Sequence, residues 1–265
     1  MQYLPFKSKL ISPIRLIAPF VFKQFDFSQF DAVIVSATGA YLPNTIRCHP
    51  ELVSGSDSPG NEMPKRVRHD IGKGPIHFCY CHTPPRYLYG YATAREWKKN
   101  LVFKILGEIA NHFLRLIDFK SAQNVDCFIA NSQNVAERIQ KFYRRDSVVI
   151  YPPVAQCPVG SPSSGATPYY LTGGRIARPK HIGLIVETFA KLKLPLKVFG
   201  RSFANSSNAP TTQYPNVQFL GEISDEEKLK LMRGAKAYVF ASEDEDFGIT
   251  PVEAMSVVTP VIAFA

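Results

Sequence analysis

Long apolar runs are missing from this sequence, and cysteine is scarce. No apolar run reaches the ~18–20 residues that a membrane-spanning helix needs, so no transmembrane helix is predicted. The N-terminal 22 residues mix basic and apolar types without a signal-peptide cleavage pattern, and a docked segment is favoured over a basic helix on an anionic membrane. The few cysteines form no paired framework, which is typical of reduced thiols: Cys48, Cys79, Cys81, Cys127 and Cys157. We expect a cytoplasmic protein, with a peripheral position at the cytoplasmic face of the membrane left open.

Acidic residues are also in deficit, and the deficit lies in the first half. Residues 1–155 hold 20 Lys+Arg against 12 Asp+Glu, net +8, whereas residues 156–265 hold 11 against 10, net +1. A basic first half predicts an anionic partner: a phosphorylated acceptor, lipid head groups or nucleic acid. Nucleic acid is not expected, because no motif with interleaved aromatic and basic residues of the known kinds is present.

Short β-branched runs alternate with helical patterns, which predicts an α/β, doubly wound parallel-sheet protein. The expected strands are Asp31–Ser36, Ile76–Cys81, Val125–Ala130, Tyr169–Thr172, Pro195–Phe199, Val217–Leu220, Ala237–Ala241 and Pro260–Phe264. The expected helices are Arg95–Lys120, Asn134–Tyr143, Ile182–Leu192, Asp225–Arg233 and Val252–Val257. Ser224 and Glu227 have the spacing of a capping box before one of them.

Two stretches interrupt this pattern. Residues 47–75 are polar, rich in Pro and Gly and without a period, so we interpret them as an insertion in a surface loop. Residues 151–168 contain five prolines and are typical of a linker or hinge. The sequence therefore predicts two domains, 1–155 and 156–265.

The acidic run before a predicted helix carries the main functional signal. In EDFGITPVEAM, Glu245 and Glu253 flank a strand–loop–helix turn, where ligands bind in open α/β folds and carboxylates can accept hydrogen bonds from sugar hydroxyls. Glu253 also fits a capping box with Thr250, and Glu245 also fits a solvated acidic turn. A third reading takes Asp244 and Asp246 as an Asp-x-Asp metal clamp.

Together with TPVIAFA, this run resembles the E-x7-E region of retaining family 4 glycosyltransferases. The resemblance implies the GT-B fold, with two Rossmann-like domains, a donor-binding second domain and an acceptor-side first domain. It implies that Glu253 binds the donor ribose and that Glu245 lies by the transferred sugar. Phe247, Gly248 and Ile249 complete the donor-binding turn by the same resemblance.

The segment YYLTGGRIARPK resembles the diphosphate-binding segment of the same family, which assigns Arg175 and Lys180 to the donor diphosphate, beside Gly174. Two cations at a strand end can neutralise the leaving diphosphate without a metal, so neither a metal nor a cofactor is expected. Gly200 is expected to let the chain approach the ligand closely. The role of Arg201 stays open, because the family more often has an acid there.

The first half contributes IHFCYCHTPPR, which resembles the acceptor-side loop of mannosyltransferase-like members. The resemblance implies that His82 serves the transferred sugar or the acceptor, against the alternative of a buried, satisfied histidine, and that Arg86 meets an anionic acceptor. His77, Cys79 and Cys81 cannot converge on one zinc ion, because alternate strand residues are ~6.6 Å apart. In Asn131-Ser132, helix capping is the favoured role.

The resemblance implies an enzyme that transfers a hexose, with mannose from GDP-mannose favoured over a UDP-hexose donor, to a glycan or lipid-linked acceptor with retention. Family members extend beyond both ends of this chain, so we expect both domains to be incomplete. Two alternatives stay open: a non-catalytic nucleotide-sugar-binding fragment, and a sugar-nucleotide epimerase of the same architecture.

Overall fold

The computed structural model describes residues 21–22, 24–39, 43–45, 75–93, 101–154, 168–201 and 214–264. The chain forms two compact units. One comprises Met1–Tyr89 with Lys98–Tyr151, and the other comprises Gly90–Trp97 with Pro152–Ala265. All but the last residue of the predicted insertion 47–75, and most of the proline-rich stretch 151–168, lie outside the described residues.

The sheet of the first unit has four parallel strands in the order β1-β2-β3-β4. Their bounds are β1 Ala32–Thr38, β2 Ile76–Thr83, β3 Cys127–Ala130 and β4 Ser147–Val149. The described strands follow one another across this sheet in chain order. The reversal of strand order that marks a doubly wound sheet is found in the second unit. Strand β4 was not predicted, because only three residues separate the preceding helix from it.

Among the described residues, two α-helices of more than ten residues accompany this sheet, α1 Leu101–Gln123 and α2 Gln133–Tyr143. Helix α2 begins where the Ser132 side chain accepts the N–H of Val135, which confirms the predicted cap. Its apolar positions 135, 139 and 143 follow a helical spacing and are fully buried. They pack on inward-facing residues of β2 and β3, including Cys79 and Phe128, to form the core of this unit.

The sheet of the second unit has five parallel strands in the order β7-β6-β5-β8-β9. Their bounds are β5 Tyr169–Gly173, β6 Leu196–Phe199, β7 Val217–Gly221, β8 Ala235–Phe240 and β9 Val261–Ala263. The winding direction reverses between β5 and β8, as in a doubly wound Rossmann sheet. The predicted α/β fold class, with two parallel sheets, is confirmed.

Helices cover both faces of this second sheet: α3 Ile182–Leu192, α4 Asp225–Gly234 and α5 Ile249–Ser256. On one face, Ile185 and Val186 of α3 pack with Leu196 and Val198 of β6. On the other face, Met232 and Ala254 belong to a cluster that also includes Tyr238. The Ser224 hydroxyl accepts the N–H of Glu227, which is the first bond of the predicted capping box. Alternate strand residues thus fill two separate apolar layers.

Among the described residues, no helix is both long enough and apolar enough to cross a bilayer.

Candidate functional site

The predicted donor residues lie on the loops that follow β5 and β8, the two strands at the winding reversal. The carboxyl ends of neighbouring parallel strands meet at one edge of a sheet, and a reversal opens a crevice there that open α/β folds use for ligands. After β5 the chain makes a short 3-10 helix, Arg178–Lys180, and after β8 it makes the acidic turn before α5. The fold therefore gathers cations and carboxylates from two loops.

Lys180 and Glu245 form a close ion pair between these loops. The Lys180 ammonium lies 2.6 Å from Oε2 of Glu245, and the Ser242 hydroxyl donates to the same oxygen at 2.5 Å. The ammonium also lies 4.7 Å from the centre of the Phe240 ring, a favourable cation–π contact. The Lys180 ammonium is thus held by a carboxylate and an aromatic ring, and the Glu245 carboxylate by an ammonium and a hydroxyl.

Further hydrogen bonds hold the two loops together beside this pair. The Glu243 N–H donates to the carbonyl of Pro179 at 2.7 Å, and the Glu243 carboxylate lies 3.2 Å from Nε2 of His181. On the other side, the carboxylate of Asp244 accepts the N–H of Ala92, which belongs to the same unit, at 2.8 Å. The carboxylate of Asp244, which the Asp-x-Asp reading assigns to a metal ion, therefore binds a backbone N–H.

Glu253 has a different partner from the one that its predicted role suggests. Its Oε1 lies 2.9 Å from the ammonium of Lys228 in α4, and their side chains are only 19% and 16% exposed. Lys228 also contacts Asp225 at 2.9 Å. Helix α5 begins at Ile249 with Gly248 in the capping position and no side-chain cap bond. The capping-box alternative for Glu253 is therefore wrong, because Thr250 lies inside the helix.

Tyr238 is a further residue of this region that the sequence did not single out. It is fully buried in β8, and its hydroxyl donates to the carbonyl of Gly173 at 2.8 Å. Burial raises the pKa of Tyr238, and the charges of Glu253 and Glu245 raise it further. An inward tyrosine in the AYVF alternation was the available signal.

Two glycines shape this edge of the sheet. Gly200 has φ +122°, and a Cβ there would lie 1.8 Å from the carbonyl oxygen of Gly174. The close approach predicted at Gly200 is therefore made to the protein backbone, since the turns after β5 and β6 touch at this point. Gly248 has φ +77° where the acidic turn enters α5, a conformation that favours glycine.

The other predicted donor residues lie on the same loops. Arg175 is exposed after β5, Phe247 is half-buried, and Ile249 is 45% exposed at the start of α5. Arg201 is exposed and lies 3.5 Å from Glu222. The described contacts join Lys180 to Glu245 and Glu253 to Lys228, so a joint action of Arg175, Lys180, Glu245 and Glu253 on one ligand stays a prediction.

In the first unit, His82 is exposed near the end of β2. Its Nε2 lies 3.0 Å from the hydroxyl of Ser36 on β1, and its ring packs edge-on against Tyr80. The alternative of a buried histidine is therefore wrong, because the strand turns this side chain outward. Arg86 follows in the turn after β2 and is half-buried. Their predicted roles toward sugar and acceptor stay predictions.

His77, Cys79 and Cys81 face inward from β2 and are buried. Nε2 of His77 lies 2.9 Å from the amide oxygen of Asn44, whose amide nitrogen donates to Sγ of Cys79 at 3.2 Å. His77 and Cys79 are thus joined by the amide of Asn44.

Comparison with known proteins connects the second unit to an enzyme family. Residues 160–265 match the sequence model of the family "Glycosyl transferases group 1". A stretch of 42 residues, 16% of this chain and 11% of the relative, is 50% identical to the protein named "Putative glycosyltransferase ORF378" of Acidianus filamentous virus 2 (isolate Italy/Pozzuoli).

One of the two solved structures compared here shares the fold over most of this chain. Sucrose-phosphate synthase (tll1590) from Thermosynechococcus elongatus matches with a TM-score of 0.62 at 16% identity, over 98% of this chain and 62% of its own. The pneumococcal O-GlcNAc transferase GtfA, solved with UDP and GlcNAc, matches 55% of this chain and 31% of its own at 25% identity, with a TM-score of 0.42. The predicted resemblance is confirmed for the fold and, over residues 160–265, for the glycosyltransferase sequence pattern, whereas retaining family 4 and the mannosyltransferase subtype stay predictions.

Proposed function

We propose, from the premise that residues 160–265 are a group 1 glycosyltransferase segment, that this protein transfers a hexose from a nucleotide sugar to a glycan or lipid-linked acceptor. The observation that carries the proposal is the Lys180–Glu245 pair at the winding reversal of the second sheet. A cation and a carboxylate held side by side match the two charges that develop when a glycosyl–phosphate bond breaks.

The chemistry assigns a separate task to each member of the pair. Cleavage leaves negative charge on the departing diphosphate, which an ammonium such as Lys180 can neutralise without a metal ion. Positive charge develops at the anomeric carbon, which a carboxylate such as Glu245 can stabilise. Ser242 donates to Glu245 and fixes its carboxylate before the donor binds. Because both charges grow toward the transition state, these contacts accelerate the reaction more than they strengthen ground-state binding.

The finer assignments belong to the same proposal. Mannose from GDP-mannose, transferred with retention, is the preferred reaction, and a UDP-hexose is the alternative donor. Arg175 would assist Lys180 at the diphosphate. Glu253 would accept hydrogen bonds from the ribose hydroxyls, while Lys228 keeps the Glu253 carboxylate in place. His82 and Arg86 would serve the acceptor side, which agrees with the basic charge of the first half. Contact with a membrane surface would bring a lipid-linked acceptor within reach.

Donor binding is the first test. Calorimetric titration with GDP-mannose, UDP-glucose, UDP-GlcNAc, GDP and UDP should show one preferred nucleotide sugar. Lys180→Met should weaken binding of the sugar diphosphate, whereas Lys191→Met, on the exposed side of α3, should leave it unchanged. If none of the nucleotides binds at millimolar concentration, the proposed function is wrong.

Turnover then separates the two glutamates and the alternative functions. Glu253→Gln should raise the dissociation constant of the donor, whereas Glu245→Gln should lower turnover by more than it weakens binding. Glu187→Gln, which removes an exposed carboxylate of α3 outside the site, is the matched control. Product analysis identifies the rivals: an epimerised nucleotide sugar without any acceptor indicates an epimerase, and donor binding without product indicates a non-catalytic binding protein.

A further inference from the structure

His82 lies at the point where the strands β1 and β2 of the first unit lose their regular register. Ala37 of β1 pairs with Cys81, but the next residue of β1, Thr38, pairs with Thr83. His82 is therefore the extra residue of β2, as in a β-bulge. Bulges bend the strand, re-aim the side chain at that point and are over-represented next to active sites. Since the ladder gives His82 no paired residue in β1, the orientation of its ring depends on side-chain contacts.

Two side chains hold the imidazole ring of His82. The hydroxyl of Ser36 on β1 lies 3.0 Å from Nε2, and the ring of Tyr80 packs edge-on with the ring centres 5.4 Å apart. Tyr80 is itself fixed, because its hydroxyl donates to the carbonyl of Ile150 at 3.2 Å. Ser36 and His82 are both exposed, so burial contributes little to holding the ring. Among the residues that the structure describes, Ser36 is the one hydrogen-bond partner of this imidazole.

The bond at one ring nitrogen decides what the other nitrogen can do. In a neutral imidazole one nitrogen carries the proton and the other has a free lone pair, and the partner of one nitrogen selects between the two forms. A serine hydroxyl can accept the N–H of Nε2, which leaves Nδ1 of His82 as an acceptor. A ligand hydroxyl that donates its hydrogen to Nδ1 keeps its own oxygen lone pairs directed elsewhere. That arrangement suits the hydroxyl of a sugar acceptor, whose oxygen has to reach the anomeric carbon.

We propose that Ser36 is a positioning residue, which accepts the Nε2–H of His82 and so presents Nδ1 as the acceptor for a hydroxyl of a carbohydrate acceptor. Ser36 acts through His82, and the inference rests on the proposed function, in which His82 serves the acceptor side. The gain is pre-organisation: a ring that is already fixed loses less freedom when the carbohydrate binds. An exposed histidine without such a bond would have to be ordered by the ligand itself.

Nitrogen NMR of the protein without ligand tests the bond between the two side chains. At pH ~8, where imidazoles are neutral, the Nε2–H signal of His82 should be visible, because the bond to Ser36 slows exchange with water. The signal is assigned by its loss in His82→Gln. Ser36→Ala should remove it, Ser36→Thr should restore it, and Ser147→Ala, at the start of β4, should leave it unchanged. The proposal is overturned if the original protein lacks this signal, if its proton lies on Nδ1, or if the signal survives in Ser36→Ala.

Titration with methyl α-D-mannopyranoside, a simple carbohydrate probe, tests the role of the fixed ring. The Nδ1 signal of His82 should shift as the probe binds, and the dissociation constant should rise several-fold in Ser36→Ala and return in Ser36→Thr. An Nδ1 signal that does not respond, or equal dissociation constants in the original protein and Ser36→Ala, would refute the positioning role. Calorimetric donor binding by the original protein is a separate result. Its absence contradicts the proposed function, whereas a silent Nδ1 contradicts only the roles of Ser36 and His82.

Discussion

The Lys228–Glu253 pair allows a quantitative prediction about stability. Replacing Lys228 with Met keeps the length and apolar stem of the side chain but removes its charge. Glu253, 19% exposed, then loses a partner 2.9 Å away. Breaking a fully buried pair costs about 3–5 kcal/mol, and an exposed pair contributes about 0–1 kcal/mol. With both side chains about four-fifths buried yet in contact with water, we expect a loss of about 2 kcal/mol.

A loss of that size should lower the melting temperature by about 4–8 °C in a chain of this length. The second variant, Glu253→Met, and the double variant complete a thermodynamic cycle. The double variant should recover at least half of the summed losses, because two apolar side chains leave no unpaired charge. Asp225, the other partner of Lys228, has a side chain that is 94% exposed, so Asp225→Asn should not change the melting temperature measurably.

The pH dependence gives an independent check on the same pair. Burial alone would lower the pKa of Lys228, but the bonds to Asp225 and Glu253 outweigh it and raise the pKa. A raised pKa in the folded state means that the stabilisation is fully present at neutral pH and is lost as the pH rises above ~10.4. Additive losses in the cycle, with a melting temperature unchanged in Lys228→Met, would show that the pair does not form in solution.

Three further predictions concern neighbouring residues. Gly200→Ala should cost at least ~2–3 kcal/mol in a urea titration, since its Cβ would meet the Gly174 carbonyl, whereas Gly221→Ala, with open space around it, should cost only about 1 kcal/mol for its positive φ. Ser242→Ala should lower turnover several-fold with little change in donor affinity, and Ser242→Thr should restore it, because a hydroxyl is needed to hold Glu245. Tyr238 should stay protonated above pH 10 in the folded protein, whereas the unfolded chain ionises there, so stability falls as the pH rises further. Urea titrations at pH 9 and 10.5 should show a smaller alkaline loss of stability in Tyr238→Phe.

The sequence predicted the sheets and the loop positions of the acidic site, because both depend on local pattern. Alternating β-branched runs set the strands, and the capping residues Ser132 and Ser224 set the starts of two helices. Lys180 and Glu245 were found because family-like motifs mark the ends of β5 and β8, and adjacent parallel strands bring such ends together. Beyond these local patterns, only the order of the strands was needed to predict that the two loops lie together.

The partners of the site residues could not be predicted, because they depend on packing between distant segments. Lys228 reads as a surface residue of an acidic helix in the sequence, yet α4 places its ammonium on Glu253. Tyr238 is one of several aromatic strand residues until the sheet brings its hydroxyl to Gly173. The burial of Asn111 and Asp118 in α1 was also not predicted, because these polar side chains find their hydrogen-bond partners only in the folded unit.

The short segment Gly90–Trp97 has a consequence for how this polypeptide can be divided and made. It belongs to the second unit although residues of the first unit lie on both sides of it, so the second unit is not a continuous piece of chain. The acidic turn gains the N–H of Ala92, a donor 152 positions upstream of Asp244. During synthesis this donor leaves the ribosome long before its acceptor exists, so the turn is completed only after residue 244 has been made. A gene cut at residue 152 would therefore encode residues 152–265 without that support.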